Sequence, residues 1–102
     1  MDNYKQNPEL IIEEIIASTW RFYNDDGLLG NIKFNKGGVI SEYSHNNERY
    51  WSFDGMFLTV MNGSKQTTVK YVHAARDYYG KWHLQGLFIG GSPGWRHYLI
   101  QQ

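Results

Sequence analysis

The chain has 102 residues, with ten acidic and ten basic side chains and therefore a formal net charge of zero. A surface without a cationic excess has little with which to displace counterions from a phosphate backbone, so nucleic acid is not an expected partner. Cysteine is absent, which excludes disulfide staples and cysteine-ligated metals.

Asn7-Pro8-Glu9 has the chemistry of a helix start: a capping side chain, a proline at the first helical position and a carboxylate at the positive end of the dipole. Ile11, Ile12, Ile15 and Ile16 follow at spacings of three and four, with Glu13 and Glu14 between them. This predicts an amphipathic helix over about residues 8–17. It is too short to stand alone, so its isoleucine face has to dock on something.

From Trp20 the apolar period changes to two. Strands are predicted around 19–22, 31–35, 39–44, 49–53, 56–60, 66–75, 81–89 and 94–100, with turn-forming residues between them. Asp54-Gly55 between apolar flanks predicts a two-residue hairpin turn, with both turn residues at positive φ. That turn pairs Phe53 with Met56 and Trp51 with Leu58, which places these four and Val60 on one face as core. The expected fold is all-β: one domain over residues 1–102, an up-and-down antiparallel barrel of about eight strands behind one short N-terminal helix. The longest apolar run near the N-terminus, residues 10–12, is far too short to insert in a membrane, and the polar start has no signal core. A cytoplasmic location is expected.

Ser18-Thr19-Trp20-Arg21-Phe22 after a helix, then Gly30-Asn31-Ile32-Lys33-Phe34 and a Gly-Gly turn, resembles a small lipocalin-like (calycin-type) barrel. The resemblance implies that Trp20 packs across the barrel floor. Ser18 departs from the pattern, which has glycine two residues before the tryptophan. Trp20, Leu29-Gly30, Gly38, Tyr43-Ser44-His45, Asn47-Glu48, Trp51 and His97-Tyr98-Leu99 also resemble a domain in or beside glycosyltransferase-type proteins of bacterial cell-surface glycan assembly.

The densest polar and aromatic cluster is residues 43–51. Tyr43, His45, Asn47 and Glu48, joined by Trp95 and His97, form the expected ligand site at the barrel mouth. Amide and carboxylate oxygens there would take hydroxyl donors, and an aromatic face would pack on a sugar ring. Turn chemistry alone also accounts for Asn46 and Asn47, with Glu48 paired to Arg49 or a lysine. His45, His73, His83 and His97 lack the short spacing of metal ligands, so neither a metal nor another cofactor is expected. Ser44 beside His45, or the pair Glu42 and Glu48, could serve catalysis only if folding brought them together, and no catalytic signature is present. The leading expectation is a non-enzymatic binding or accessory module for a saccharide or another small polar-aromatic molecule. The alternatives are an interaction domain, docking on itself as a homo-oligomer or on a glycan-synthesis enzyme, and a small hydrolase or isomerase.

Overall fold

The computed structural model describes residues 10–89 and 94–102. One helix, α1 (Ile12–Ala17), precedes eight strands: β1 (Thr19–Asn24), β2 (Gly27–Asn35), β3 (Val39–Ser41), β4 (Tyr50–Phe53), β5 (Leu58–Met61), β6 (Thr67–Arg76), β7 (Trp82–Phe88) and β8 (Arg96–Gln101). Each strand pairs with the next, and β8 returns to β1, so the sheet closes into an antiparallel up-and-down barrel. The expected cap at Asn7 and Pro8, and the turn at Gly90-Gly91-Ser92-Pro93, lie outside the described residues.

Inward positions are set by register. Trp20 lies opposite Ile32, Phe34 opposite Ile40, Trp51 opposite Val60, and Phe22 opposite Leu99. All of these side chains are buried. Trp20 meets Phe34 edge-on at 6.4 Å, and Phe34 meets Trp51 at 5.6 Å, so the aromatic-rich sequence fills its own barrel. Such edge-to-face pairs add to the stabilisation from burial alone. Trp20 is the floor residue, and its indole N–H donates to the Ile15 carbonyl at 3.2 Å, fastening the helix to the barrel.

The isoleucine face is narrower than its spacing suggests. Ile15 is fully buried and Ile16 packs partly on the core, but Ile11 and Ile12 are largely exposed. The helix begins only at Ile12, and Ile11 is its extended N-cap residue, so a six-residue helix has one turn with which to make contact. At its outer edge Glu14 accepts from Trp82 Nε1 (3.1 Å) and from Arg76 (3.2 Å), tying the helix to the β6–β7 end of the barrel.

The hairpin at Asp54-Gly55 differs from its expected form. Phe53 pairs with Leu58 and Trp51 with Val60, so the connection has four residues rather than two. The Asp54 carboxylate accepts from the N–H groups of Met56 (2.9 Å) and Phe57 (2.8 Å), which stabilises the longer loop. Gly55 has positive φ as expected (96°), whereas Asp54 does not. The slip is two residues, so the faces are preserved: Trp51, Leu58 and Val60 are buried and Phe53 packs on the core. Met56 falls in the loop and is 70% exposed.

Because Trp20 is both floor and helix anchor, Trp20→Ala should cost ~3–5 kcal/mol in urea-melt stability, close to the whole stability of so small a domain. A loss under ~1 kcal/mol would show that the indole is not the floor.

Candidate functional site

The barrel ends differ. Helix α1 covers the end carrying the turn at Lys36-Gly37-Gly38, with Ile12 and Ile16 beside it. At the opposite end the loop after β3 is held to the β5–β6 turn, where Gly63 N–H donates to the Asn46 carbonyl (3.0 Å). The Asp25 carboxylate there accepts from Arg96 N–H (2.8 Å) and the Tyr98 hydroxyl (2.7 Å), lacing the β1–β2 turn to β8. These two bonds hold its carboxyl below the usual range.

The loop at the mouth starts where β3 stops. Glu42 takes a left-handed φ of 69°, which ends the strand at Ser41 instead of the expected Ser44. The Tyr43 ring then packs over Gly30, where a Cβ would stand 3.3 Å from it, so a side chain at Gly30 would crowd the ring. Tyr43 meets Phe22 edge-on at 5.0 Å and stacks on His45 at 6.4 Å.

Glu48 is 3% exposed, and its carboxyl lies 3.4 Å from His45 Nδ1. Burial raises its pKa to about 7, because the charged form loses its water. The contact with His45 does not offset that loss. His45 Nδ1 accepts the Asn47 backbone N–H (3.1 Å), so this nitrogen has a lone pair and no proton to offer Glu48. The Asn47 carbonyl accepts from the buried Thr68 hydroxyl at 2.9 Å, which fixes the loop on β6.

His97 points inward on β8. It stacks on Phe88 (4.7 Å) and lies edge-on to Phe22 (5.0 Å). It is 6% exposed, and its Nδ1 is buried with no hydrogen-bond partner. Burial lowers its pKa to about 4 against the opposing pull of Asp25, so the ring is neutral at physiological pH.

Of the expected site residues, Tyr43, His45, Asn47 and Glu48 form one connected cluster, which Phe22 links to His97. The expected Arg49 partner for Glu48 is replaced by His45. Trp95 sits half-buried at the start of β8, its carbonyl accepting from Phe88 N–H (2.9 Å). Sequence reasoning missed Tyr71, an inward, buried residue whose hydroxyl pKa is raised well above normal by burial and then by Glu48. Its inward position follows from the alternation of β6, where Val69 and Tyr71 share a face. Phe22 and Phe88, which flank His97, were also missed. His73 and His83 lie on the outer face by register while His97 points inward, so the three strand histidines do not converge.

The structure defines a closed eight-stranded antiparallel barrel with a polar, aromatic-walled mouth. The chain matches no known family model, no curated protein and no solved structure.

The two buried ionisable groups act in opposite directions on stability. Glu48 binds its proton more tightly when folded, so its contribution is lost as pH rises from about 4.5 through about 7. His97 binds its proton less tightly when folded, so its contribution is lost as pH falls from about 6.5 through about 4. Between about 4.5 and 6.5 the two slopes oppose each other. Urea melts should show a nearly flat wild-type profile across that window, whereas Glu48→Gln should gain stability with rising pH and His97→Phe should lose it. Parallel profiles for all three proteins would contradict the assignment.

Proposed function

We propose that the chain is a non-enzymatic, lipocalin-like binding module that takes a saccharide or a similar small polar-aromatic molecule at the barrel mouth. The observation that carries this reading is the buried Glu48 carboxyl beside an open polar hollow. The hollow has a volume of about 600 Å³ and is lined by Tyr43, Ser44, His45, Asn46 and Arg49, with Ile40, Ser41 and Glu42. Its volume falls in the range of small-molecule sites. Ser44, His45, Asn46 and Arg49 offer polar groups to sugar hydroxyls and the Tyr43 ring offers an aromatic face, while Glu48 is buried behind His45 and does not itself line the hollow.

The likeness of Tyr43-Ser44-His45, Asn47-Glu48 and Trp51 to the glycan-assembly domain supports a saccharide and a place in or beside a glycosyltransferase-type protein on the cytoplasmic side. Asn47 braces the loop, while Trp95, just before β8, and the buried His97 do not line the hollow. Among the described residues, no helix is long and apolar enough to cross a membrane. A second reading, a domain that docks on itself or on a glycan-synthesis enzyme, draws support from Tyr78 and Tyr79, which are almost fully exposed on the β6–β7 turn.

An NMR titration with mono- and disaccharides should move the amides of residues 43–51 and His97 and leave β6 and β7 unchanged. Affinity should be weak, roughly millimolar or ~4 kcal/mol, for one shallow contact surface. Tyr43→Ala and Arg49→Ala remove side chains that line the hollow and should each weaken binding, whereas Glu48→Gln, behind the lining, should retain it. A spectrum unmoved by every sugar, with size rising with concentration, would favour the docking reading.

A further inference from the structure

The barrel interior is filled by its own aromatics, and a second concavity lies on the outside. The β6–β7 register slips between Tyr71 and His73. Bulges of this kind bend and twist a sheet locally. On the outer face, pairing places Leu28, Tyr23, Tyr98, Gln85 and His73 in one row across five strands. The next row is Arg21, Ile100, His83 and Ala75. Between the two rows runs a groove of about 570 Å³, walled by Tyr23, Tyr98, Ile100 and Ala75, with His73, His83 and Gln85 at its polar edge.

Two features of the groove select its ligand. Among the described residues, no lysine, arginine, aspartate or glutamate lines it, so none of these supplies a fixed charge to compensate an ion that had lost its water. Two of its polar groups, His83 and Tyr98, also offer acceptors. His83 Nε2 lies 2.9 Å from Asp77 Oδ2, and in the neutral ring donation to that carboxylate leaves Nδ1 as the lone-pair nitrogen. The Tyr98 hydroxyl already spends its proton on Asp25, so its oxygen remains free to accept. The neighbouring tyrosines Tyr23 and Tyr98 supply apolar, polarisable surface for a flat molecule. We propose that this groove is a second binding site, for an uncharged planar ring compound carrying an N–H or O–H donor.

The site is independent of the mouth, and the test reads it separately. Indole is titrated into the whole chain with the imidazole C–H signals of His73 and His83 as reporters. Saturable shifts at both are expected, with the amides of residues 43–51 unmoved. 1-Methylindole, which keeps the ring and lacks the donor, should bind about fivefold more weakly, as loss of one neutral hydrogen bond implies. Benzoate should not bind. Ala75→Trp places a large ring in the groove from an exposed strand position, and it should abolish the indole shifts without changing the melting temperature. The proposal is overturned if indole leaves both histidines unmoved, if 1-methylindole binds equally well, or if Ala75→Trp still binds. It is equally overturned if dilution of the free protein shifts these signals, since a second copy would then occupy the groove.

Discussion

A closed eight-stranded barrel is just wide enough inside to be filled by side chains, and this chain fills it with rings. Trp20, Phe22, Phe34 and Trp51 occupy inward positions, and Trp20 also anchors the helix through the Ile15 carbonyl. Everything else in the molecule depends on that filling. It turns a potential ligand cup into a packed core, closes the helix end, and leaves polar chemistry room only at the opposite mouth and on the outer face. Gly30 shows how close the packing is, because its missing side chain is what lets the Tyr43 ring lie against Phe22.

At the mouth, burial rather than pairing governs the ionisable groups. Glu48 has no lysine or arginine salt bridge among the described residues, and its nearest charged candidate, His45, uses the facing nitrogen as an acceptor. Desolvation therefore favours the neutral acid, and the same cause favours the neutral imidazole at His97. Both neutral groups sit behind the mouth among aromatic rings, whereas the charged side chains Glu42 and Arg49 line its open hollow. The acidic groups that do ionise readily, Asp25 and Asp77, are held by N–H and hydroxyl donors at the surface and work as clamps on turns.

Much of the fold was legible because the period-two pattern and the turn residues speak about local structure. All eight strands fall close to where the sequence places them, the helix occupies residues 12–17 of the expected 8–17, and Trp20 is the floor. The errors have local causes that the pattern does not carry. At Asp54-Gly55 a side-chain carboxylate capturing two backbone N–H groups lengthened the loop, and only the two-residue size of the slip spared the core faces. At Glu42 one left-handed residue ended β3 early and created the mouth loop. For the site, the cluster at residues 43–48 was visible as dense polar sequence. The burial of Glu48 was not, because it needs β6, whose Thr68 holds the Asn47 carbonyl, to cross behind a loop 21 residues earlier. His97 was visible as a residue, but its flanking rings Phe22 and Phe88 come from β1 and β7, and only closure of the barrel brings them together.

The claim on which the functional account rests is that Glu48 is a buried, neutral acid at the mouth of a filled barrel. Carbon-13 NMR of the glutamate side-chain carboxyl carbons across pH measures it directly. The account predicts that the Glu48 signal titrates with a midpoint near 7 while the exposed glutamates titrate in the ordinary carboxylate range. A Glu48 midpoint at or below about 4.5 would contradict it, since the carboxylate would then be solvated or paired.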